Sequence, residues 1–188
     1  MGENIEALAK VQQVALYLGQ PWKFNHLYDS NWAFQIIDGE GRGLHLRPQT
    51  GGKLSISGTF SAKKTGRTHG KHKSIGVSIS RDAKAIAADI ERRLLPHYLQ
   101  AFDDAVALHQ KDMQREEAQN HQARALAKMA KGGRILGHGG QGSNKVVYFD
   151  HGKAEIYGYS GEVYLTLNRM TVEQAMKVIA VMNAEPEP

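Results

Sequence analysis

Apolar residues recur at two different spacings along the chain, and the change of spacing marks its secondary-structure elements. Near the N-terminus they recur every three or four residues, which predicts a helix with one apolar face. The stripe consists of Ile5, Leu8, Val11, Ala15 and Leu18. Gly19 and Pro21 follow it directly and indicate where the helix ends.

Short apolar segments bounded by turn residues come next and predict four strands. They cover residues 32–37, 44–47, 54–60 and 75–79. Pro48 is expected to end the second strand, because proline cannot donate a hydrogen bond to a neighbouring strand. Gln35, Ser57 and Ser78 are expected on the solvent side of the sheet.

From Asp82 to Leu108 the apolar spacing becomes helical again. Pro96 lies inside this pattern and predicts either a kink or two consecutive helices, because it removes one helical hydrogen bond. Residues 110–131 are rich in helix formers but poor in large apolar side chains, which predicts a largely exposed connecting helix.

The C-terminal part begins with a glycine-rich segment, residues 132–144, which is expected to lack regular structure. Three strands are predicted after it, at 146–149, 154–157 and 163–167. Thr171 and Gln174 have the spacing of a capping box and predict the start of a last helix. The apolar stripe of that helix is Val172, Met176, Ile179 and Met182.

These elements predict an α+β protein with two helix–antiparallel sheet–helix modules joined by a long helical segment. The N-terminal module covers 1–109, the helical connector 110–133 and the C-terminal βββα module 134–188. A shift of 88 residues aligns Arg81 with Arg169 and Leu94 with Met182, as a diverged duplication would. Two unrelated strand-to-helix junctions would give the same alignment, so both origins remain open.

The net charge of +5 is unevenly distributed. Residues 41–81 contain nine basic and no acidic residues, and residues 118–149 contain five basic and none acidic. Acid-free basic stretches favour a polyanionic partner more strongly than the net charge does. The densest part, residues 63–73, is predicted to be a mobile loop that follows a phosphate backbone. A solvated loop that only improves solubility is the alternative.

The basic stretch and the start of the following helix supply the candidate nucleic-acid-binding residues. They are Arg42, Arg47, Lys53, Lys63, Lys64, Arg67, His69, Lys71, His72, Lys73, Arg81 and Lys84.

Other chemistries find no support in the sequence. The chain has no cysteine, which excludes disulfides and thiolate ligands and is compatible with a cytoplasmic location. The segment 137–143 lacks the Lys-Ser/Thr of a phosphate loop, and His69 with His72 lacks a third metal ligand. No nucleophile motif appears. We therefore expect no catalytic residues, no metal and no cofactor, and neither an N-terminal signal nor a membrane span.

Two resemblances add to this picture. The helix–sheet–helix order resembles the double-stranded-RNA-binding domain, which implies phosphate contacts from the 63–73 loop and from Arg81 and Lys84. The tract SIGVSISRDAKAIAADIERRLLPHYL resembles segments of small bacteriophage and prophage proteins of unassigned function. The second resemblance implies a phage or mobile-element origin.

Two functional hypotheses follow. The first is a non-enzymatic nucleic-acid-binding accessory protein of a phage or mobile element that contacts phosphates of DNA or RNA through residues 41–81. The alternative is a phage-encoded, anti-CRISPR-like inhibitor of a host antiviral nucleoprotein complex that acts by protein–protein contact. A homodimer is compatible with either hypothesis.

Overall fold

A computed structural model describes residues 2–28, 30, 32–67, 73–136, 144–157 and 160–184, with the backbone alone for residues 2–5. The chain forms two compact units, Met1–Gln110 and Lys111–Pro188, which are described separately below. Helices and two antiparallel sheets make the protein α+β, as the hydrophobic pattern predicts. None of the described helices is both long enough and apolar enough to cross a membrane.

The first unit begins with helix α1 (Gly2–Leu18) and continues into a five-stranded sheet. The strands are β1 (Lys23–Phe24), β2 (Phe34–Ile37), β3 (Arg42–Gln49), β4 (Lys53–Phe60) and β5 (Ser74–Ser78). They lie in the order β1-β2-β3-β4-β5, so each strand pairs with its sequence neighbours. A short helix, α2 (Ala62–Thr65), lies between β4 and β5, and helix α3 (Ala83–Asp89) follows the sheet.

One face of this sheet packs against the helices and forms a large core. A cluster of twenty buried residues joins α1, β2–β5, α3 and the first part of the long helix α4 (Leu95–Met129). Tyr98 of α4 is fully buried, and its hydroxyl accepts a hydrogen bond from Gly43 N and donates one to the Thr59 carbonyl. Gly58 lies against the Tyr98 ring so closely that a Cβ there would stand 2.0 Å from Tyr98 Cδ2. Only glycine therefore lets the ring lie flat on β4.

The structure corrects three predictions in this unit. Pro48 does not end the second strand, since β3 continues to Gln49 and Pro48 pairs with Leu54. The strand accommodates proline here because β2 pairs only with residues 43–46 of β3, so the Pro48 nitrogen needs no β2 partner. Two short elements, β1 and α2, were not predicted; α2 places Lys63 and Lys64 on a helical turn instead of in a loop.

Near Pro96, where a kink or two consecutive helices are predicted, the helix changes type and continues. A π-helical turn, Ile90–Leu94, connects α3 to α4, and the Leu95 amide donates to the Ile90 carbonyl five residues earlier. Pro96 is the second residue of α4. The wider turn before it accommodates a residue that cannot donate a helical hydrogen bond, so the helical path continues.

The second unit contains the C-terminal part of α4, a four-stranded sheet and a last helix. The strands are β6 (Arg134–Leu136), β7 (Lys145–Phe149), β8 (Gly152–Ile156) and β9 (Val163–Leu167), in the order β6-β7-β8-β9. Helix α5 (Val172–Asn183) follows and starts with the predicted capping box of Thr171 and Gln174. The expectation that all of 132–144 lacks regular structure is wrong, because β6 pairs there with β7. The module is thus ββββα instead of βββα.

The core of the second unit is small. Among its described residues, the buried apolar cluster contains only Ala123 of α4, Val147 of β7, and Ala154 and Ile156 of β8. The Gln119 amide reaches the Ile156 carbonyl at 3.4 Å, and Lys145 forms an ion pair with Glu116 at 3.5 Å. These contacts attach α4 to the middle of the sheet and leave β9 exposed.

Candidate nucleic-acid interface

The side of the first sheet that faces away from its core is polar and contains no acidic residue. Side chains alternate between the two faces of a strand, so the partners of buried residues point to this second side. We call it the open face. Its members are Gln35 and one apolar residue, Ile37, of β2, Gly43, His45, Arg47 and Gln49 of β3, Lys53, Ser55, Ser57 and Thr59 of β4, and Ser74, Gly76 and Ser78 of β5.

The register arranges these residues in rows across the strands. Gln35, His45, Ser57 and Ser74 form one row. In the next row Arg47 pairs with Ser55, and Ser55 pairs with Gly76. In the row after that, Gln49 pairs with Lys53. Most residues of β4 and β5 on this face are serine, threonine or glycine, so few long side chains project from this part of the sheet. Gln35, Ser57 and Ser78 lie on the solvent side, as predicted.

An aromatic cluster stands on this face beside β3. Trp32 is 56% exposed, and its ring meets the His45 ring edge to face, with 4.9 Å between the centroids. The His45 ring also meets Tyr28 edge to face, and its Nε2 lies 3.0 Å from the Tyr28 hydroxyl oxygen. The Arg47 guanidinium carbon lies 5.9 Å from the centre of the Trp32 ring. Trp32 is therefore held between an imidazole and a cation while much of its surface remains open.

Burial and the neighbouring Arg47 charge both lower the pKa of His45 below its ordinary value. The imidazole is therefore mainly neutral near pH 7 and can share one hydrogen bond with the Tyr28 hydroxyl. A neutral ring also avoids repulsion with Arg47, which keeps the cation beside Trp32.

A cleft of about 550 Å³ adjoins the cluster at the end of the sheet where β2 turns into β3. Tyr28, Gln35 and Thr59 line it together with Arg42 and Phe60. Its volume lies within the range of small-ligand pockets. The cleft combines an aromatic ring with amide and hydroxyl groups, which are the groups that bind planar, hydrogen-bonding ligands.

Two predicted contact residues are instead engaged inside the first unit. Arg42 forms ion pairs with Asp103 at 3.3 Å and with Asp38 at 3.9 Å, and it lies over the Phe102 ring. Arg42 therefore connects the β2–β3 turn to α4.

Arg81 is engaged in a similar way before α3. It donates a hydrogen bond to Asp89, whose carboxylate also accepts hydrogen bonds from Arg92 and Arg93. The hydrogen bond from Arg81 and the nearby Arg92 and Arg93 hold the pKa of Asp89 below its ordinary value. In addition, the Arg81 carbonyl accepts a hydrogen bond from Lys10 of α1. Arg81 thus fixes the entry into α3.

The other predicted residues are distributed over several places. Arg47 and Lys53 lie on the open face near its β3–β4 turn. Lys63, Lys64 and Arg67 are exposed at α2 and just after it, beyond the opposite end of β4. Lys73 precedes β5 and lies 3.3 Å from His97 of α4, and Lys84 is exposed on α3. The predicted residues His69, Lys71 and His72 lie outside the described residues.

Sequence reasoning did not identify Tyr28, Trp32 and His45 as site residues. Tyr28 lies in a connection to which no element was assigned, and Trp32 begins the predicted strand 32–37, so the available signal was two aromatic residues close together before the basic stretch. Only the strand register brings them beside Arg47. Within the described part of the chain, no three histidine, aspartate or glutamate residues converge on a position that could hold a metal ion.

Comparison with protein-family models, with curated proteins and with solved structures finds no match to this chain.

Proposed function

We propose that this protein is a non-enzymatic nucleic-acid-binding protein that holds a single strand on the open face. Unpaired bases stack on Trp32 and enter the cleft beside Tyr28. Arg47 and Lys53 contact phosphates at one end of the face, and the basic residues of α2 contact them at the other. The phage or mobile-element origin inferred from the sequence stays a prediction.

One observation carries this proposal: an exposed tryptophan is held by His45 and Arg47 on a sheet face without acidic residues. Isolated exposed apolar residues are common, but this ring has its edge fixed by a neighbouring side chain and a cation beside it. Stacking of a base on an aromatic ring contributes about 1–3 kcal/mol. The fixed ring therefore needs little further ordering when a base binds.

The arrangement favours unpaired bases over a duplex. In a duplex the faces of the bases are stacked on one another and unavailable to a tryptophan, whereas a single strand exposes them. The small side chains of β4 and β5 provide room for bases to lie on the sheet. The engagement of Arg81 within the unit removes one cation from the phosphate contacts that the duplex-binding resemblance implies.

The cations bracket the aromatic cluster. Strand β4 has eight residues, and the seven steps of about 3.3 Å from Lys53 to Phe60 give roughly 23 Å. Lys63 and Lys64 follow within a few residues of its end. Strands β2–β5 contain no aspartate or glutamate, so no acidic side chain on these strands opposes a phosphate backbone. This charge pattern predicts binding that weakens as salt is added.

The test is fluorescence anisotropy with a labelled 12-nucleotide single strand, as DNA and as RNA, and with a duplex of the same sequence. We expect the single strands to bind more tightly, with the logarithm of affinity falling linearly with the logarithm of salt concentration. Trp32→Ala should weaken binding about 5- to 100-fold, which corresponds to the loss of one stacked base.

Tyr17→Ala is the matched control, because Tyr17 is an aromatic residue of similar exposure on α1, away from the open face. It should leave affinity unchanged. Equal affinity for duplex and single strand, or unchanged affinity of Trp32→Ala, would contradict the base-stacking proposal. An absence of any salt-dependent binding would contradict nucleic-acid binding itself and favour the alternative of a protein partner.

A further inference from the structure

Helix α5 presents an apolar stripe that no described part of the chain covers. None of its residues, all of which the structure describes, is buried. The stripe consists of Val172, Met176, Ile179 and Met182, which are between 58% and 77% exposed. Spacings of four, three and three residues place them on one side of the helix. The predicted stripe is therefore present on α5, but it is not buried against the residues that the structure describes.

Strand β9 presents a second uncovered apolar surface next to this helix in the sequence. It is an edge strand, paired only with β8, and Val163, Tyr164 and Leu165 are each about half exposed. Its sequence, VYLTL, contains no charge, proline or glycine. Monomeric proteins avoid a bare edge of this kind, because its free backbone groups can pair with another strand.

The other edge strands of the two sheets are protected. β1 and β6 have only two and three residues, and they include Lys23 and Arg134. β5 contains Gly76 and follows Lys73 directly. Short length and charged side chains are among the devices that prevent edge-to-edge pairing, and the glycine in β5 weakens it as a strand. β9 is the one described edge strand that combines five residues with a sequence free of charge and glycine.

We propose that β9 and α5 form an interface between two copies of this chain. β9 pairs antiparallel with β9 of the second copy, and the α5 stripe packs against the apolar surface of that copy. A two-fold interface joins the same patch from both chains. This interface is independent of the nucleic-acid site, because it uses the second unit only.

The β9 sequence is compatible with pairing to itself. If Leu165 lies on the two-fold axis, it meets Leu165 of the second copy, Val163 meets Leu167, and Tyr164 meets Thr166. Every such pair is uncharged, so no like charges face each other. On α5, Lys177 forms a hydrogen bond with Glu173 at 2.7 Å, so these two opposite charges balance each other on the helix surface.

The size of the surface fits the proposed partner. Seven apolar side chains of α5 and β9, each about half or more exposed, offer an area on the order of the ~800 Å² per partner of a stable interface. The second unit buries only four apolar side chains by itself in the described cluster. Burial of the same surface on both chains would extend a core that one copy leaves small.

Cross-linking tests the strand register directly, because the chain contains no cysteine. Paired Cα atoms in antiparallel strands lie about 4.5–5.5 Å apart, which a disulfide can span. We expect nuclease-treated Leu165→Cys protein to form a covalent dimer on mild oxidation. Tyr164→Cys is the matched control: the two substituted positions would be offset by two residues, beyond the roughly 7 Å limit for a disulfide.

Light scattering of the full chain tests the dimer without oxidation. The expected mass is twice the chain mass of 20.8 kDa. Ile179→Glu should convert the protein to monomer, whereas Val181→Glu should leave it dimeric, because Val181 is equally accessible but lies across the helix from the stripe.

Three outcomes would overturn the proposal. The first is a wild-type monomer at 100 µM, which would mean that another surface or another partner covers the stripe. The second is a dimer that survives Ile179→Glu. The third is equal cross-linking of Leu165→Cys and Tyr164→Cys, which would indicate random collision. Both α5 positions are exposed, so loss of folding does not explain a monomer.

Discussion

The two units use the same kind of layer, an antiparallel meander with a helix on one side, but they bury very different amounts of apolar surface. The first unit buries twenty residues in one cluster and presents a polar open face. Among its described residues, the second unit buries four in its cluster and leaves an apolar strand and helix exposed. A closed core leaves the other face of its sheet free to bind a ligand under the proposed function, whereas an incomplete core leaves apolar surface that the proposed second copy would cover.

The largest expected effect follows from the two-sided nature of the first sheet. Ile56 is fully buried on β4, and the neighbouring Ser57 points to the open face. Ile56→Ala should lower the free energy of unfolding of the first unit by about 2–5 kcal/mol through lost burial and a cavity. Ser57→Ala should change it by less than about 0.5 kcal/mol. Urea denaturation measures the free energy of unfolding of both variants. A similar loss in the two would refute the assignment of Ile56 and Ser57 to opposite faces.

A smaller effect is expected at Tyr98. Tyr98→Phe leaves Gly43 N–H and the Thr59 carbonyl without their hydroxyl partner, which should cost about 1–3 kcal/mol. Burial raises the pKa of Tyr98 to about 12 from an ordinary value of 10.0. Between these values the unfolded chain loses the proton first, so the wild type becomes less stable as pH rises.

Tyr98→Phe lacks this titration, and its stability deficit should therefore narrow between pH 10 and pH 12. Denaturation of both proteins across this pH range tests the prediction. A constant difference would show that the Tyr98 hydroxyl is not buried among the contacts described here.

The capping box of α5 tests the second unit. Thr171→Ala removes the acceptor for the Gln174 amide, which typically costs about 1 kcal/mol. Because α5 has no buried residue, the loss should appear as faster hydrogen exchange in α5 with little change in the melting temperature of the first unit. A comparable drop in the stability of both units would contradict the expectation that the effect stays within α5.

The smallest expected effect distinguishes cations that contact nucleic acid in the proposed function from cations that form ion pairs within the first unit. Arg47→Ser should reduce the salt slope of single-strand binding by about 1, because it removes one phosphate contact. Arg81→Ser should leave the slope unchanged and lower thermal stability, since Arg81 pairs with Asp89. The opposite pattern would place the phosphate path at the start of α3.

Local sequence patterns were sufficient to predict most helices and strands, because the spacing of apolar residues differs between the two. The helical stripe of α1, the alternation in β5 and the Thr171–Gln174 capping box each depend on residues close in the sequence. Short elements were missed because their stabilisation is not local. β1 and β6 are defined by pairing with β2 and β7, and Pro48 stays in β3 because β2 is too short to reach it.

The site was only partly predictable for a related reason. Charge is a property of composition, so the acid-free stretch identified Arg47 and Lys53. It also included Arg42 and Arg81, whose acidic partners Asp103 and Asp89 are distant in the sequence. The aromatic cluster depends on a loop folding back onto β3, which no local spacing indicates.

By itself, the sequence determined the α+β class, the order of the main elements and the segregation of positive charge, because all three follow from local periodicity and composition. Tertiary structure decided which cations are engaged in ion pairs, which aromatic residues meet Arg47, and that the stripe of α5 stays exposed. These outcomes depend on contacts between residues distant in the sequence, and burial and ion pairing are properties of such contacts.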